Sequence, residues 1–547
     1  MEGKEALIEK LFEKGVLVNK EMLERDVDSS LIKKLENEED LLVLNEDYAN
    51  IISKESTLVD WYDLDHYRVM AEQDRDDDLY QNQLQQISQS TLQLPQKQQQ
   101  TVNSLEIELE DTGESEFTTE TTMPLTDSSL FVEVTLSYIN TPKKYVIKDF
   151  SHFFRSRYNF IEKILRQRQE LQSATTIHRL QGKKEREKVA FIGLVQDIAE
   201  TRKGSMIMTI EDLTGTIKIL ISKQKSDMLR IAKDIVLDEV IGVSGTNGDG
   251  IVFVEKIFWP DVPPNRELKK GPNEEYAAFI SDIHVGSSFF LEEAFEKFLK
   301  WISGKTGNEK QRAIANKIKY LFIAGDLVDG VGIYPGHENE LKIKNLTDQF
   351  TAITNLLKKI PKDKQIIICP GNHDGVHLAE PQPIFYESFA GELLTLPNVT
   401  IVTNPGSVTI GKTKDFVGFD VLLYHGFSFD YYIRNVESIR MNGGYHRADL
   451  IMKLLLQKRH LAPSFTSTPY YPGHKEDPLL IKKIPDFFLS GHIHYSSVAN
   501  YRSVTMISGS CWQGPTLFQD KLGHEPEPGR VPVVNLKTRE IKILKFI

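Results

Sequence analysis

Short, largely apolar runs, each stopped within two residues by Gly, Pro or Ser, punctuate the second half of the chain at 276–280, 320–324, 365–369, 421–424 and 486–489. They are too brief for helices and predict buried strands. Between them, 291–302 and 346–360 have helical character, so the order is strand, helix, strand. That order predicts an α/β core whose functional side chains cluster where strands end and loops begin.

Upstream the pattern changes. Segments 189–199, 205–212, 215–222, 240–246 and 251–259 alternate or run apolar, with a helix-like 226–234 between the third and fourth. Five short strands with a helix after the third is the order of an OB-fold barrel, a fold much used for single-stranded nucleic acid and also for protein docking. Pro260, Pro263 and Pro264 close this segment. At the other end, Leu7, Ile8, Leu11 and Phe12, then Leu31, Ile32 and Leu35, recur at helical spacing and predict a small helical module over 1–70. Residues 71–142 read as a flexible polar linker: half of 81–100 is Gln, and 98–142 carries nine acids and no Lys or Arg. Its end, 129–138, recovers a strand. The domains expected are therefore the module (1–70), the linker (71–142), a basic helix with the OB-fold barrel (143–272) and an α/β domain (273–547).

Charge sharpens one boundary. The chain is acidic overall, net −12, yet 143–190 holds 13 Lys and Arg against 5 acids, interleaved with Phe150, Phe153, Phe154, Tyr158 and Phe160. Arginines among aromatics suit a nucleic-acid surface, and Arg155, Arg157, Arg166 and Arg168 are the candidate contacts. Lys458 and Arg459, ending the helix-like LLLQKRH, are two more. The competing reading packs the aromatic face on the next domain, leaves the basic face solvated, and uses Lys458 and Arg459 for the helix dipole. No stretch approaches the ~18 apolar residues of a membrane span, MEGKEALIEK is no signal peptide, and two cysteines suit a reducing compartment.

The chemistry lies just after the apolar runs, in SDIHVG, AGDLVDG, PGNHDG, YHG and SGHIH. These blocks carry Asp282, His284, Asp326, Asn372, His373, His425, His492 and His494. In an extended strand residues i and i+2 share a side, so Asp282 with His284, and His492 with His494, can each reach one ion. Carboxylate, amide oxygen and imidazole without thiolate suit Mn²⁺, Fe²⁺, Zn²⁺ or Mg²⁺. Cys369 and Cys511 are too far apart for a zinc-finger spacing.

In these blocks the last half of the chain resembles the calcineurin-like metallophosphoesterase superfamily. The resemblance implies an α/β/β/α fold with a first ion on Asp282, His284 and His494, a second on Asn372, His425 and His492, and Asp326 bridging them. It places His373 over the phosphate, with Asp329 as its partner; the plainer role for Asp329 is a turn residue before Gly330. Two such ions, about 3.5–4 Å apart, activate water and stabilise an in-line displacement, while His373 serves the leaving oxygen and Asp329 fixes its tautomer.

The order of helical module, linker, OB-like barrel and phosphoesterase, with GDLVDGVGIYPG, AEPQP, LLLQKRHLAPSF, KEDPLLIKKIPDFFLSGHIH and ISGSCWQGPTLFQ, resembles the small subunits of archaeal family-D DNA polymerases over most of the chain. This implies a 3′–5′ proofreading exonuclease with Mn²⁺ as the first choice of ion, acting on DNA with a single-stranded or mismatched 3′ end. It also implies a separate large polymerising subunit as partner and a place in the archaeal cytoplasm, at the nucleoid. Small subunits of the eukaryotic B-family polymerases share the architecture but have lost ligands, whereas here every ligand position is filled, which predicts catalysis. The alternatives are a break-repair nuclease, which has His at the position of Asp329, another phosphoesterase, and a noncatalytic scaffold. Trp512 and Phe518 fill the core or face the large subunit; Tyr334 and His337 border the cleft or form a lid.

Overall fold

The computed structural model describes residues 132–139, 144–516, 519 and 525–547, together with the strands β1 (Leu17–Val18) and β2 (Val43–Leu44), which pair in parallel. The module expected over 1–70 and the linker of 71–142 otherwise fall outside the described residues. Contacts divide the chain at residue 118, and the elements that follow belong to the unit 119–547.

The first of them is β3 (Val132–Leu136), followed by helix α1 (Ile147–Leu165). The alternating segments then close a five-stranded barrel: β4 (Lys188–Glu200), β5 (Met206–Asp212), β6 (Gly215–Ile221), β7 (Val240–Asn247) and β8 (Ile251–Phe258), in the order β4-β5-β6-β8-β7. Helix α2 (Ser226–Ala232) lies between β6 and β7. Period-two alternation turns Phe191, Val195, Met208, Ile210, Ile219, Val243 and Val254 inward.

Two six-stranded sheets follow. One has the order β12-β11-β10-β9-β18-β19, with β9 (Tyr276–Ile280), β10 (Ile318–Ala324), β11 (Gln365–Cys369) and β12 (Val399–Ile401) parallel and β18 (Arg530–Asn535) and β19 (Ile541–Lys545) antiparallel. The other has the order β16-β17-β15-β14-β13-β3, with β13 (Gly406–Ile410), β14 (Phe419–Leu423), β15 (Phe487–Ser490), β16 (Ser497–Tyr501) and β17 (Val504–Ser508). Ala277, Phe279, Phe322 and Ile367 meet Val408, Val421, Phe487 and Leu489 in one apolar layer between the sheets. The alternate residues Ala278, Ile280, Leu321 and Ile366 pack outward under helices α3 (Glu292–Ile302) and α4 (Leu346–Leu357). Leu422 and Phe488 do the same under α5 (Phe429–Asn435) and α6 (Ala448–Lys458). A strand covered on both faces needs apolar side chains at every position, which is why these segments read as continuous runs. The layers are α/β/β/α, and β3, at the end of the segment assigned to the linker, is the edge strand of the second sheet against β13.

Helix α1 lies between barrel and sandwich, and burial there and at the end of α6 withdraws three of the six proposed DNA contacts from solvent. Its Tyr158, Ile161 and Leu165 pack with Ile192, Leu194 and Leu480, and Phe153 stacks on Tyr470 at 4.7 Å. Arg157, on the same face, is 0 % exposed and donates through Nε to Asp477 at 2.7 Å. Lys458 is buried against Glu239 at 2.5 Å, and Arg459 donates to the carbonyls of Ile481 and Lys482. A buried cation demands a carboxylate or carbonyls around it, and these have them, so none is left for phosphate. Arg168 is half-buried and donates to the Trp259 carbonyl. Arg155 and Arg166 stay exposed, Arg166 paired with Glu162 at 2.7 Å.

The Arg157–Asp477 pair also receives His460, whose Nε2 lies 2.7 Å from Asp477 Oδ2 while its Nδ1 accepts from the Ala462 amide. Burial, with the Arg157 charge, pushes His460 down from 6.5 to about 4. Its folded pKa is depressed, so the unfolded chain takes the proton first. The contribution is whole above pH 6.5 and is lost as pH falls towards 4, at up to about 1.4 kcal/mol per pH unit. Urea midpoints of the protein and of His460→Gln between pH 7 and 4.5 are expected to show a shallower acid decline in the variant; equal slopes would count against this assignment. No helix among the described residues is long and apolar enough to cross a membrane.

Candidate metal centre

Parallel strands deliver their carboxyl ends to one edge of the sandwich, and the loops after β9, β10, β11, β14 and β15 carry the predicted residues. Asp282 (φ 52°), His284 (φ 53°), Asp326 (φ 53°), His492 (φ 71°) and His494 (φ 57°) all adopt the left-handed backbone conformation. Such geometry costs non-glycine residues on the order of 1–3 kcal/mol each and persists where the surroundings impose it. Here the amides of Ile283 and His284 both donate to the Asp326 carbonyl, at 2.7 and 3.1 Å. The i, i+2 pairs therefore lie in bent loops, and the strand-alternation argument does not account for them. Packing is close: a Cβ on Gly371 would sit 2.2 Å from Asp326 Oδ1, and one on Gly491 2.6 Å from Asp282 Oδ2.

The side chains form two groups. In the first, His284 Nε2 and His494 Nε2 face each other at 3.0 Å, with Asp282 Oδ1 3.5 Å from His494 Nε2. In the second, Asn372 Oδ1 is 3.0 Å from both His425 Nε2 and His492 Nδ1, and Asp326 Oδ2 is 3.2 Å from His425 Nε2. The same Asp326 oxygen is 3.8 Å from His284 Nε2, so it lies between the groups. His492 and His494 are thus divided between them rather than sharing one ion.

The donor set fits divalent ions. The Nδ1 of His425 lies 2.8 Å from the Ala324 carbonyl and that of His284 2.9 Å from Asp329, which fixes the proton there and turns a lone pair inward. His425 Nε2 then faces Asn372 Oδ1, itself an acceptor, at 3.0 Å, while His284 Nε2 faces His494 Nε2, whose Nδ1 lies 2.9 Å from the Gln519 side-chain amide nitrogen. Metal–nitrogen bonds of ~2.1 Å at tetrahedral to octahedral angles separate neighbouring ligand atoms by roughly 3.0–3.4 Å. The field agrees: burial would lower the His425 imidazole, yet Asp326 and Asp282 raise it to about 10, so the pocket favours positive charge.

His373 sits beside these groups, 4.7 Å from His284 ring to ring. Its Nδ1 donates to the main-chain carbonyl of Asp329 at 2.7 Å, and burial pushes it down to about 4, so the ring is neutral near pH 7. The Asp329 carboxylate is engaged elsewhere, with His284 Nδ1 at 2.9 Å, Gln513 Nε2 at 2.9 Å and His337 Nε2 at 3.2 Å. Asp329 therefore steadies His373 through its backbone and His284 through its side chain. His337 is fully buried, below the cleft rather than in a lid, and Trp512 is core, against Phe295 and Phe298. Phe518 lies outside the described residues.

Other residues of the site were not anticipated. Asp374 accepts from the amides of Gly371, Asp326, Leu327 and Val328 at 2.8–3.1 Å, tying two ligand loops together. Its place in the GNHD block was a usable signal. Asp430 accepts from His492 Nε2 at 3.0 Å and stands in no motif. Asn404 accepts from the His425 amide and donates to Gln382, which reaches the Gly371 carbonyl, so the AEPQP block braces the ligands from beneath.

The profile of the calcineurin-like phosphoesterase family matches residues 277–496. The DNA polymerase II small subunit of Methanothermobacter thermautotrophicus is 38 % identical over 73 % of this chain and 80 % of its own length. That of Pyrococcus furiosus is 38 % identical over 73 % of this chain and 64 % of its own, and that of Halobacterium salinarum 36 % identical over 73 % and 75 %. Among solved structures, the telomere capping protein Ten1 from Saccharomyces pombe matches 16 % of this chain and 79 % of its own at 22 % identity with a TM-score of 0.11, too slight a likeness to bear on fold or function. With its metallophosphoesterase domain and its likeness across most of the Methanothermobacter protein, the chain belongs to the DNA polymerase II small subunits.

Proposed function

We propose that this chain is the 3′–5′ exonuclease of a two-subunit DNA polymerase, hydrolysing the terminal phosphodiester of a single-stranded or mismatched 3′ end beside a large polymerising subunit in the cytoplasm. The observation that carries the reading is the pair of donor groups joined through Asp326 with His373 beside them, since a scaffold needs neither. Asp282, His284 and His494 would hold one divalent ion and Asn372, His425 and His492 the other, with Asp326 shared; Mn²⁺ suits these donors, as do Mg²⁺, Fe²⁺ and Zn²⁺. Bound there, such ions polarise phosphoryl oxygens and lower the pKa of water.

The chain's own contribution centres on His373. With Nδ1 held on the Asp329 carbonyl, Nε2 is the atom left to exchange a proton with the leaving oxygen, and an arriving anionic phosphodiester raises its affinity for that proton. The buried loops on which the donors stand hold them in register without reorganisation. The barrel's strand order, first, second, third, fifth, fourth, with α2 between third and fourth, supports reading it as an OB fold that handles the strand or docks the partner. Incubating the purified chain with Mn²⁺ and a 3′-labelled single strand or mismatched primer should release nucleotides stepwise, and His373→Ala and Asp326→Asn should abolish release. No nucleotide release even with the large subunit added would sink the proposal.

A further inference from the structure

Three of the four imidazoles that line the two donor groups, His284, His425 and His494, present Nε2; His492 presents Nδ1. The reason lies behind the ring. His492 Nε2 is 3.0 Å from Asp430 Oδ2, on the first turn of α5, and a carboxylate there takes the ring's only proton. Tyr445 donates its hydroxyl to the other oxygen, Asp430 Oδ1, at 2.8 Å, fixing the carboxylate plane. Phe427, 5.7 Å from the ring centre, limits its swing from another side.

We infer that Asp430, held by Tyr445, is the positioning residue of the second ion site: it orients His492 and fixes the tautomer that turns the Nδ1 lone pair towards Asn372 Oδ1. The first group has the same device in Asp329 behind His284, so each group has one carboxylate behind one imidazole. Carboxylates so placed raise ligand basicity, and their loss typically weakens metal binding 10–100-fold. Asp430 stands five residues after His425, so a single loop and helix supply the second group with one donor and with the support of another.

The inference rests on the two-ion reading, and Mn²⁺ titration of the full chain, followed by calorimetry and by the Mn²⁺ paramagnetic resonance spectrum, separates the two. The unaltered protein should bind two Mn²⁺. Asp430→Ala should weaken one class of site 10–100-fold and leave the other unchanged. Asp430→Asn, which keeps an oxygen acceptor without the charge, should fall between, and decides the matter where the alanine variant fails to fold. Tyr445→Phe, which leaves the carboxylate, should shift the same class by a few-fold at most. Both classes unchanged in the Asp430 variants, or both weakened alike, overturns the assignment while the metal centre stands. An unaltered chain that binds no Mn²⁺ overturns both.

Discussion

His373→Ala should keep both ions and lose the reaction. Its ring gathers with His284 and Asp326 but lies outside the Asp282–His284–His494 and Asp326–His425–His492 groups assigned to the ions, and the bond it makes to Asp326 comes from its backbone amide, which alanine retains. Mn²⁺ binding should therefore be unchanged while the single-turnover rate falls about 10²–10⁴-fold, the usual contribution of a positioned proton-transfer group. Asp329→Ala should behave in the opposite way. The main-chain carbonyl that holds His373 survives, but His284 loses the carboxylate that fixes its tautomer, so one class of ion weakens about 10–100-fold and much of the rate returns at saturating Mn²⁺. A resemblance to phosphatases pairs the Asp329 carboxylate with His373 and predicts that the two variants fail alike at every Mn²⁺ concentration. Metal isotherms beside rates at saturating ion distinguish these outcomes, and identical behaviour of the variants would restore the simpler dyad.

The division between what could and could not be read from sequence follows from the range of the interactions. Strands such as 276–280 and 365–369 were legible because burial on both faces leaves an uninterrupted apolar run, a local signal. The barrel strands and α2 were legible from alternation and spacing for the same reason. The donor residues stood out by type, but their conformation did not: left-handed φ at Asp282, His284, His492 and His494 is imposed by contacts between loops, and periodicity assumes regular backbone. The burial of Arg157 and Lys458 is not legible locally because a cation's role depends on the acid it meets. Asp477 is 320 residues beyond Arg157 and Glu239 is 219 before Lys458, and nothing local announces either meeting. Asp430 was missed on the same ground, since an aspartate on a helix has no signature until the ring it supports is beside it.

Asp477→Ala is expected to destabilise the unit 119–547 by about 3–5 kcal/mol, the cost of stranding a buried charge. Arg157 and Asp477 are both wholly buried, and Asp477 also receives His460 Nε2 at 2.7 Å and the Leu479 amide at 3.0 Å. The guanidinium lies 5.3 and 5.0 Å over the rings of Phe153 and Phe154, and once the carboxylate is gone the Pro463 and Asp238 carbonyls on Nη1 leave its charge without a counterion. Exposed Arg155 provides the contrast: Arg155→Ala should move the urea midpoint by no more than about 0.5 kcal/mol, although both arginines belong to the same basic segment. Adding Arg157→Met to Asp477→Ala removes the stranded charge and should recover part of the loss, because an apolar replacement of a buried pair carries no unpaired ion. That recovery separates an electrostatic lesion from a simple cavity, in which the second substitution would add to the damage. If Asp477→Ala cost no more than a surface change, α1 would not be anchored through this pair.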